Sequence, residues 1–590
     1  MAVLKRRSMQ VAVAAAAIAL VLTGCSTSKP ASSTAGVKGG TLMVAGDNDV
    51  TALDPASAYQ SPEFFINRAI TRALFANVAT NDNGGQKLVP DIAAEIPTEA
   101  NGEISKDGLT YTIHLKQGIV FHTSGKPQAV VAGDIVRGLE RMCNPVSPSP
   151  ALSYFTSTIV GFQAYCDGFS KVAPTVDAIR TYVNTAPLAG VKALNDSTLQ
   201  IKIMQRASDF ISILGLGVFA SPQPASYLNY LPDSPGLRQH LEATGPYMIQ
   251  TYVPNRSYKL VRNPDWKKST DSVREANVNA IDVQLGQDPA TVQQELEAGT
   301  VDMEWPDTTV PVANVDTLTA THDKRLVVAA TGGIRPYVVI NTVSPNDNKA
   351  MQNVAVRQAL NVATDKSAIQ KILGGSKLAT ITNQILPPQV PGYTKINPLK
   401  TVPSGNSARS KSMLKAAGYP NGANVTLMFR NDQDWPDMAA ALQQSLTKGG
   451  FTVTMKQVSA SDFYTKYLQN ISGTAAGEWD IALAAWGPDY FGGRSYLVPM
   501  LDGRDYTPGS VNFGDFNNSA FNAQLDAALS ASTASTANEH WAKADSIASE
   551  QAAWVPVANS STAVFHSSRV KGFTFLTWLG NGDPTNVSLK

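Results

Sequence analysis

A mixed α/β fold divided into at least two lobes is predicted, on three observations. The chain has 590 residues, more than a single hydrophobic core ordinarily organises. Strand-like stretches are scattered from residue 40 to residue 580 and interleave with stretches of helical spacing, which argues against an all-β barrel or a helical bundle. No short internal repeat is detected.

The elements follow in order. Lys5, Arg6 and Arg7 precede an apolar run over residues 11–22, too short to span a bilayer and readable as an export signal over residues 1–24. Leu22-Thr23-Gly24-Cys25 resembles a bacterial lipobox, which implies cleavage before Cys25 and lipid on its sulfur. Residues 25–37, small and polar with Pro, read as a flexible tether. A strand is predicted over 39–45, a turn at Leu53-Asp54-Pro55 and a helix near 64–75. Residues 109–115 alternate with period two, and Lys116-Gln117-Gly118 returns the chain through 119–121 as a hairpin. Residues 199–203 alternate likewise, and a second hairpin runs over 247–261 around Asn255.

A helix over 289–298 opens at Pro289 and stops at Gly299. Helical spacing continues over 353–373, ended by Gly374-Gly375. Residues 386–392 are too rich in Pro for a regular element. A helix over 407–417 follows, then strand, helix and strand at 425–429, 438–446 and 451–458. The strand over 479–485 delivers the chain to Trp486-Gly487-Pro488-Asp489-Tyr490, where one carboxylate stands between aromatic rings.

Composition narrows the function. With 48 Lys+Arg against 47 Asp+Glu the net charge is +1, which gives no sign of a nucleic-acid footprint or a polybasic membrane patch. No later stretch reaches eighteen apolar residues. After Cys25, the cysteines Cys143 and Cys166 remain. Export into an oxidising compartment makes their pairing the expectation, worth about 3 kcal/mol by loop closure; two separate buried thiols are the alternative. Neither a CxxC nor a Cys/His cluster of zinc spacing occurs, so no metal or cofactor is expected. Phosphate-loop, nucleophile-elbow, HExxH and dinucleotide signatures are missing too. Ser412-Met413-Leu414-Lys415 matches an SxxK pattern without its KTG partner, so an enzyme is not expected.

Five strings together resemble one family: residues 108–122 (GLTYTIHLKQGIVFH), 244–266 (TGPYMIQTYVPNRSYKLVRNPDW), 296–302 (LEAGTVD), 353–369 (NVAVRQALNVATDKSAI) and 413–422 (MLKAAGYPNG). They look like ordered landmarks of the extracellular family 5 solute-binding proteins, the peptide-binding lipoproteins of ABC importers. The resemblance covers residues 38–590 and implies a two-lobed periplasmic-binding-protein-like fold of type II with a small extra domain inserted in the first lobe. The implied division gives the first lobe 38–80, 215–332 and 557–590, the inserted domain 81–214 and the second lobe 333–556. It also implies an extracytoplasmic monomer held to the membrane by Cys25, with a peptide ligand and permease and ATPase subunits as partners.

The resemblance assigns a site. In peptide-binding members a W-x-x-D-Y segment supplies the acid that holds the ligand's α-ammonium, and Trp486, Asp489 and Tyr490 occupy those positions. A carboxylate accepts the ammonium's hydrogen bonds with charge assistance. Ala485 and Gly487 leave backbone accessible for strand-like pairing with ligand amides. Tyr59, Gln60 and Ser61, shortly after Asp54-Pro55, are expected on the opposite wall. Leu483 stands where some members carry a base for the ligand carboxylate, and Arg494 is the substitute candidate. The rival readings are a non-peptide solute in the same fold (an oligosaccharide, an opine-like compound or a nickel complex) and an exported hydrolase using Ser412 and Lys415.

Overall fold

The computed structural model describes residues 38–80, 86–506 and 510–590. The export signal, Cys25 and the tether lie outside them.

Two sheets organise the molecule. In the first, Thr41–Ala45 lies between Met303–Glu304 and Ala280–Gln284, parallel to both, and the hairpin Tyr247–Val253 and Ser257–Arg262 extends the sheet antiparallel. Asn255 takes φ 59°, the left-handed conformation the hairpin turn needs. The helix Ser61–Ile70 packs here, and Phe65 meets Trp305 edge-on at 5.3 Å between ring centroids.

The second sheet runs Ala379–Ile381, Ala558–Phe565, Leu326–Ile340, Ile481–Trp486, Ala423–Arg430 and Phe451–Val458, and Trp554–Pro556 also pairs with Leu326–Ile340. Helices cover both faces. Ala482 and Ala484 enter one core while Ile481 and Leu483 enter the other, so this strand reads as an unbroken apolar run rather than an alternating one.

Leu326–Ile340 and Ala558–Phe565 connect the sheets. Ala563 and Phe565 pack with Ala45 and Leu296 on the first side, whereas Ile334 and Tyr337 pack with Trp554 and Tyr496 on the second. Their mutual register shifts between Ala330 and Ile334, across Thr331-Gly332-Gly333. Gly332 has φ 69°, and a Cβ there would lie 2.9 Å from the Phe491 ring. Neither crossing strand was evident from patterning, because a Gly pair and Pro336 interrupt the first and Ser and Thr fill the second.

A third core gathers residues between Leu74 and Leu228 around the strands Thr110–His114, Thr198–Lys202 and Val191–Asn195. The sulfurs of Cys143 and Cys166 are bonded here, with the Cα atoms 5.0 Å apart.

Three predicted elements are corrected. The strand Thr110–His114 pairs with Thr198–Lys202, not with its own return. Leu115 instead donates its N–H to Ser197, and Val120–Phe121 pairs with Gln128–Ala129. The helix expected to reach residue 75 ends at Ile70. Beyond it Arg72 is drawn into a buried ion pair with Asp91 at 2.8 Å, and Phe75–Ala79 becomes a strand. The helix expected over 353–373 is two, Val354–Ala363 and Lys366–Ile372, because the Asp365 carboxylate accepts from the Ala368 N–H at 3.0 Å and starts a new helix. Among the described residues no helix is long and apolar enough to cross a membrane.

Candidate functional site

The strand Ile481–Trp486 ends where Gly487 and Pro488 turn the chain out of the sheet. Trp486 is held there by its indole N–H, which donates to the Ser495 carbonyl at 3.2 Å, and by packing on the second-sheet core. Ala485 donates its N–H to the Tyr464 hydroxyl at 3.4 Å. Gly487 is exposed, and a Cβ on it would meet nothing within 4 Å, so its backbone is open to a partner.

Asp489 follows and is gripped by two phenols. Tyr59 donates its hydroxyl to one carboxylate oxygen and Tyr154 donates to the other. Tyr59 comes from the loop before Ser61–Ile70 and Tyr154 from the short helix Leu152–Thr156 in the third core. Three segments distant in sequence therefore converge on one acid. No ion pair to Asp489 is formed among the described residues. Burial raises its carboxyl above the usual carboxylate range, and the hydrogen bonds from Tyr154 and Tyr59 pull it back in part. Both phenols are held neutral, by burial first and by the Asp489 charge second.

Glu63 positions Tyr59. This buried carboxylate accepts the backbone N–H groups of Thr51, Ala52, Tyr59 and Gln60, tying the loop to the first turn of the helix. Gln60 is exposed, whereas Ser61 lines an adjoining cavity.

Tyr490 and Arg494 turn away from Asp489. The Tyr490 hydroxyl donates to Asp209, and its ring meets Tyr154 edge-on at 5.4 Å, so it sits in the third core. Arg494 pairs with Asp209 at 3.4 Å and donates to Ser157 and Thr158 at 3.2 and 3.1 Å; it is 8 % exposed. The structure thus engages the Arg494 charge inside the protein. The segment after Pro488 is clasped by the third core, which gives a closed arrangement.

Beside Gly487 and Pro488 lies a cavity of about 270 Å³, lined also by Ser61, Asp307, Phe491 and Trp578. The crossing strands contribute Thr331 and Thr562. Ser412 and Lys415 are remote in character: both are exposed on the helix Ser407–Ala416, and Ser412 donates to its own helix at Ala408.

Sequence reasoning missed Tyr154, Asp209 and Asp307. Tyr154 lies in a neutral stretch without periodicity, and only the convergence of distant segments gives it a role. Asp307 had a weak local signal, an acid just after Trp305-Pro306.

A family model described as "Bacterial extracellular solute-binding proteins, family 5 Middle" matches residues 87–508. A heme-binding protein A of Haemophilus influenzae is 26% identical over 486 residues, 80% of each chain. A dipeptide-binding protein of Pseudomonas aeruginosa is 24% identical over 90% of this chain and 92% of its own. Among solved structures, a clavulanic acid biosynthesis oligopeptide binding protein 2 superposes with a TM-score of 0.80 at 22% identity, over 94% of this chain and 96% of its own.

Proposed function

The chain belongs to the bacterial extracellular solute-binding proteins of family 5, and from that premise we propose that it captures peptides by their free N-terminus for an ABC importer. The observation that carries the reading is Asp489: a partly buried carboxylate, without a cation among the described residues, where three segments meet. Its two oxygens offer about four lone-pair directions, and each phenol takes one. An α-ammonium fits what remains, because it brings the missing charge and three donors, and the phenol oxygens can accept from it as well. Gly487, open at the end of a sheet strand, suits main-chain pairing with an extended ligand, which accommodates varied side chains. Relatives named for dipeptide and oligopeptide binding agree with this ligand class.

Capture is coupled to closure. The clasp on Asp489, Tyr490 and Arg494 joins the segment after the second sheet to Tyr59 on one side and to the third core on the other, and the Gly332-Gly333 kink gives the crossing strand freedom to bend. A ligand that completes the Asp489 cage favours the closed form, the one a permease would accept. The lobe and insertion boundaries expected from the sequence, the lipid anchor at Cys25, a monomeric state and the absence of catalysis complete the proposal. The test is a thermal-shift screen of di- to octapeptides with N-acetylated controls. Free peptides should raise Tm with concentration above Kd while acetylated ones do not. If only a non-peptide solute raises Tm, the peptide reading fails and the transporter role stands.

A further inference from the structure

The cavity beside Gly487 has a one-sided charge. Among its described lining residues Asp307 alone carries a formal charge, and no Lys, Arg or His faces it. The rest of the wall is hydroxyl and aromatic, chiefly Ser61, Thr331 and Thr562 with Phe491 and Trp578. Both rings are set in place by packing. Trp578 meets Phe64 edge-on at 5.1 Å, and Phe491 rests against Gly332, where a Cβ would fall 2.9 Å from the ring.

Asp307 is displayed rather than consumed. It is exposed, and among the described residues it forms no hydrogen bond or ion pair. Its backbone is left-handed at φ 68°, within a tight turn closed by the Thr308 N–H on the Trp305 carbonyl at 3.1 Å. Partial burial at the cavity wall, and then the like charge of Glu63, raise its carboxyl above the usual carboxylate range, and Glu63 is itself saturated by backbone donors. The Arg494 guanidinium is engaged with Asp209, and among the described residues no base pairs with Asp307.

We propose that this cavity receives a cationic side chain of the captured peptide, arginine above all, on Asp307 with Phe491 and Trp578 as its flanking rings. A guanidinium is planar, bonds a carboxylate through a fork of donors and stacks on aromatic faces, and the surrounding hydroxyl oxygens accept its outward N–H groups. A carboxylate side chain is repelled from the same wall. The cavity's volume suits one long side chain rather than a whole oligopeptide. This inference rests on the peptide reading and sharpens it to a substrate class.

The test measures Kd by calorimetry on the full mature chain, wild type and Asp307→Asn, with Ala-Ala-Ala, Arg-Ala-Ala, Ala-Arg-Ala, Ala-Ala-Arg and Ala-Glu-Ala. Asn tolerates the left-handed backbone as Asp does, so the variant removes charge and keeps the turn; an unchanged Tm checks this. In the wild type the best arginine peptide should bind about tenfold tighter than trialanine, the scale of one partly solvated charge-assisted bond. The glutamate peptide should be weakest. Asp307→Asn should erase the arginine preference and leave trialanine binding unchanged. A wild type without that preference, or a variant that keeps it, overturns the inference while peptide capture stands. Binding of none of the five overturns peptide capture and the inference together.

Discussion

Replacing Asp489 by Asn removes one charge and nearly no volume, and its effects on affinity and stability should point in opposite directions. In a complex the carboxylate answers a ligand ammonium inside a closed cleft. Breaking a buried pair costs about 3–5 kcal/mol. The low end applies here, because Asp489 is only partly buried and the oxygens of Tyr59 and Tyr154 remain as acceptors. Affinity for a free peptide should therefore fall roughly 150-fold. Without ligand the sign reverses. Burial raises the carboxyl more than the two phenols lower it, so the ionised form weighs against the folded state at neutral pH and Asn removes that burden. The assay is a four-way comparison of free and N-acetylated peptide on wild type and variant, with Tm recorded without ligand. Equal weakening of the free and the acetylated peptide, or a ligand-free Tm that drops by many degrees, would refute the reasoning and make Asp489 a structural pin.

Other outcomes follow from the same contacts. Arg494→Met leaves buried Asp209 with the Tyr490 hydroxyl as its side-chain donor, a cost to the closed form of about 3 kcal/mol that opening relieves; small-angle scattering should show a larger radius of gyration, and an unchanged radius contradicts the clasp. Burial pushes the Glu140 carboxyl up to about 8, against the weaker pull of Arg137. Its stabilising contribution is thus present below the usual carboxylate range and lost as pH rises through 8. The Tm advantage of Glu140→Gln over wild type should accordingly grow from pH 5 to pH 9, and a constant difference would contradict it. Cys143→Ser opens a loop of sequence separation 23 and should lower stability by about 3 kcal/mol in denaturant unfolding, against no change if the bond contributes nothing.

Local rules were legible where one segment carries its own signal. The helix Pro289–Ala298 lies as read, between its capping Asp288 and left-handed Gly299, and the hairpin around Asn255 and the parallel unit Ala423–Arg430 and Phe451–Val458 are likewise in place. Pairing partners were not legible, since residues 109–115 alternate equally well beside their own return or beside Thr198–Lys202. The crossing strands hid behind Gly332, Gly333 and Pro336, residues that ordinarily end a strand and here bend one. Within the candidate site, the family resemblance pointed to Asp489 and Tyr59, and the structure puts the two in contact. Tyr490 and Arg494 share the motif's neighbourhood but face Asp209, a residue with no signal of its own in the sequence.

The most direct measurement is a crystal structure with a bound tripeptide. The α-amino nitrogen should lie about 2.7–3.2 Å from an Asp489 oxygen, with the hydroxyls of Tyr59 and Tyr154 on the same carboxylate. An amino group bound elsewhere in the cleft, with Asp489 still paired to the two phenols alone, would contradict the assignment.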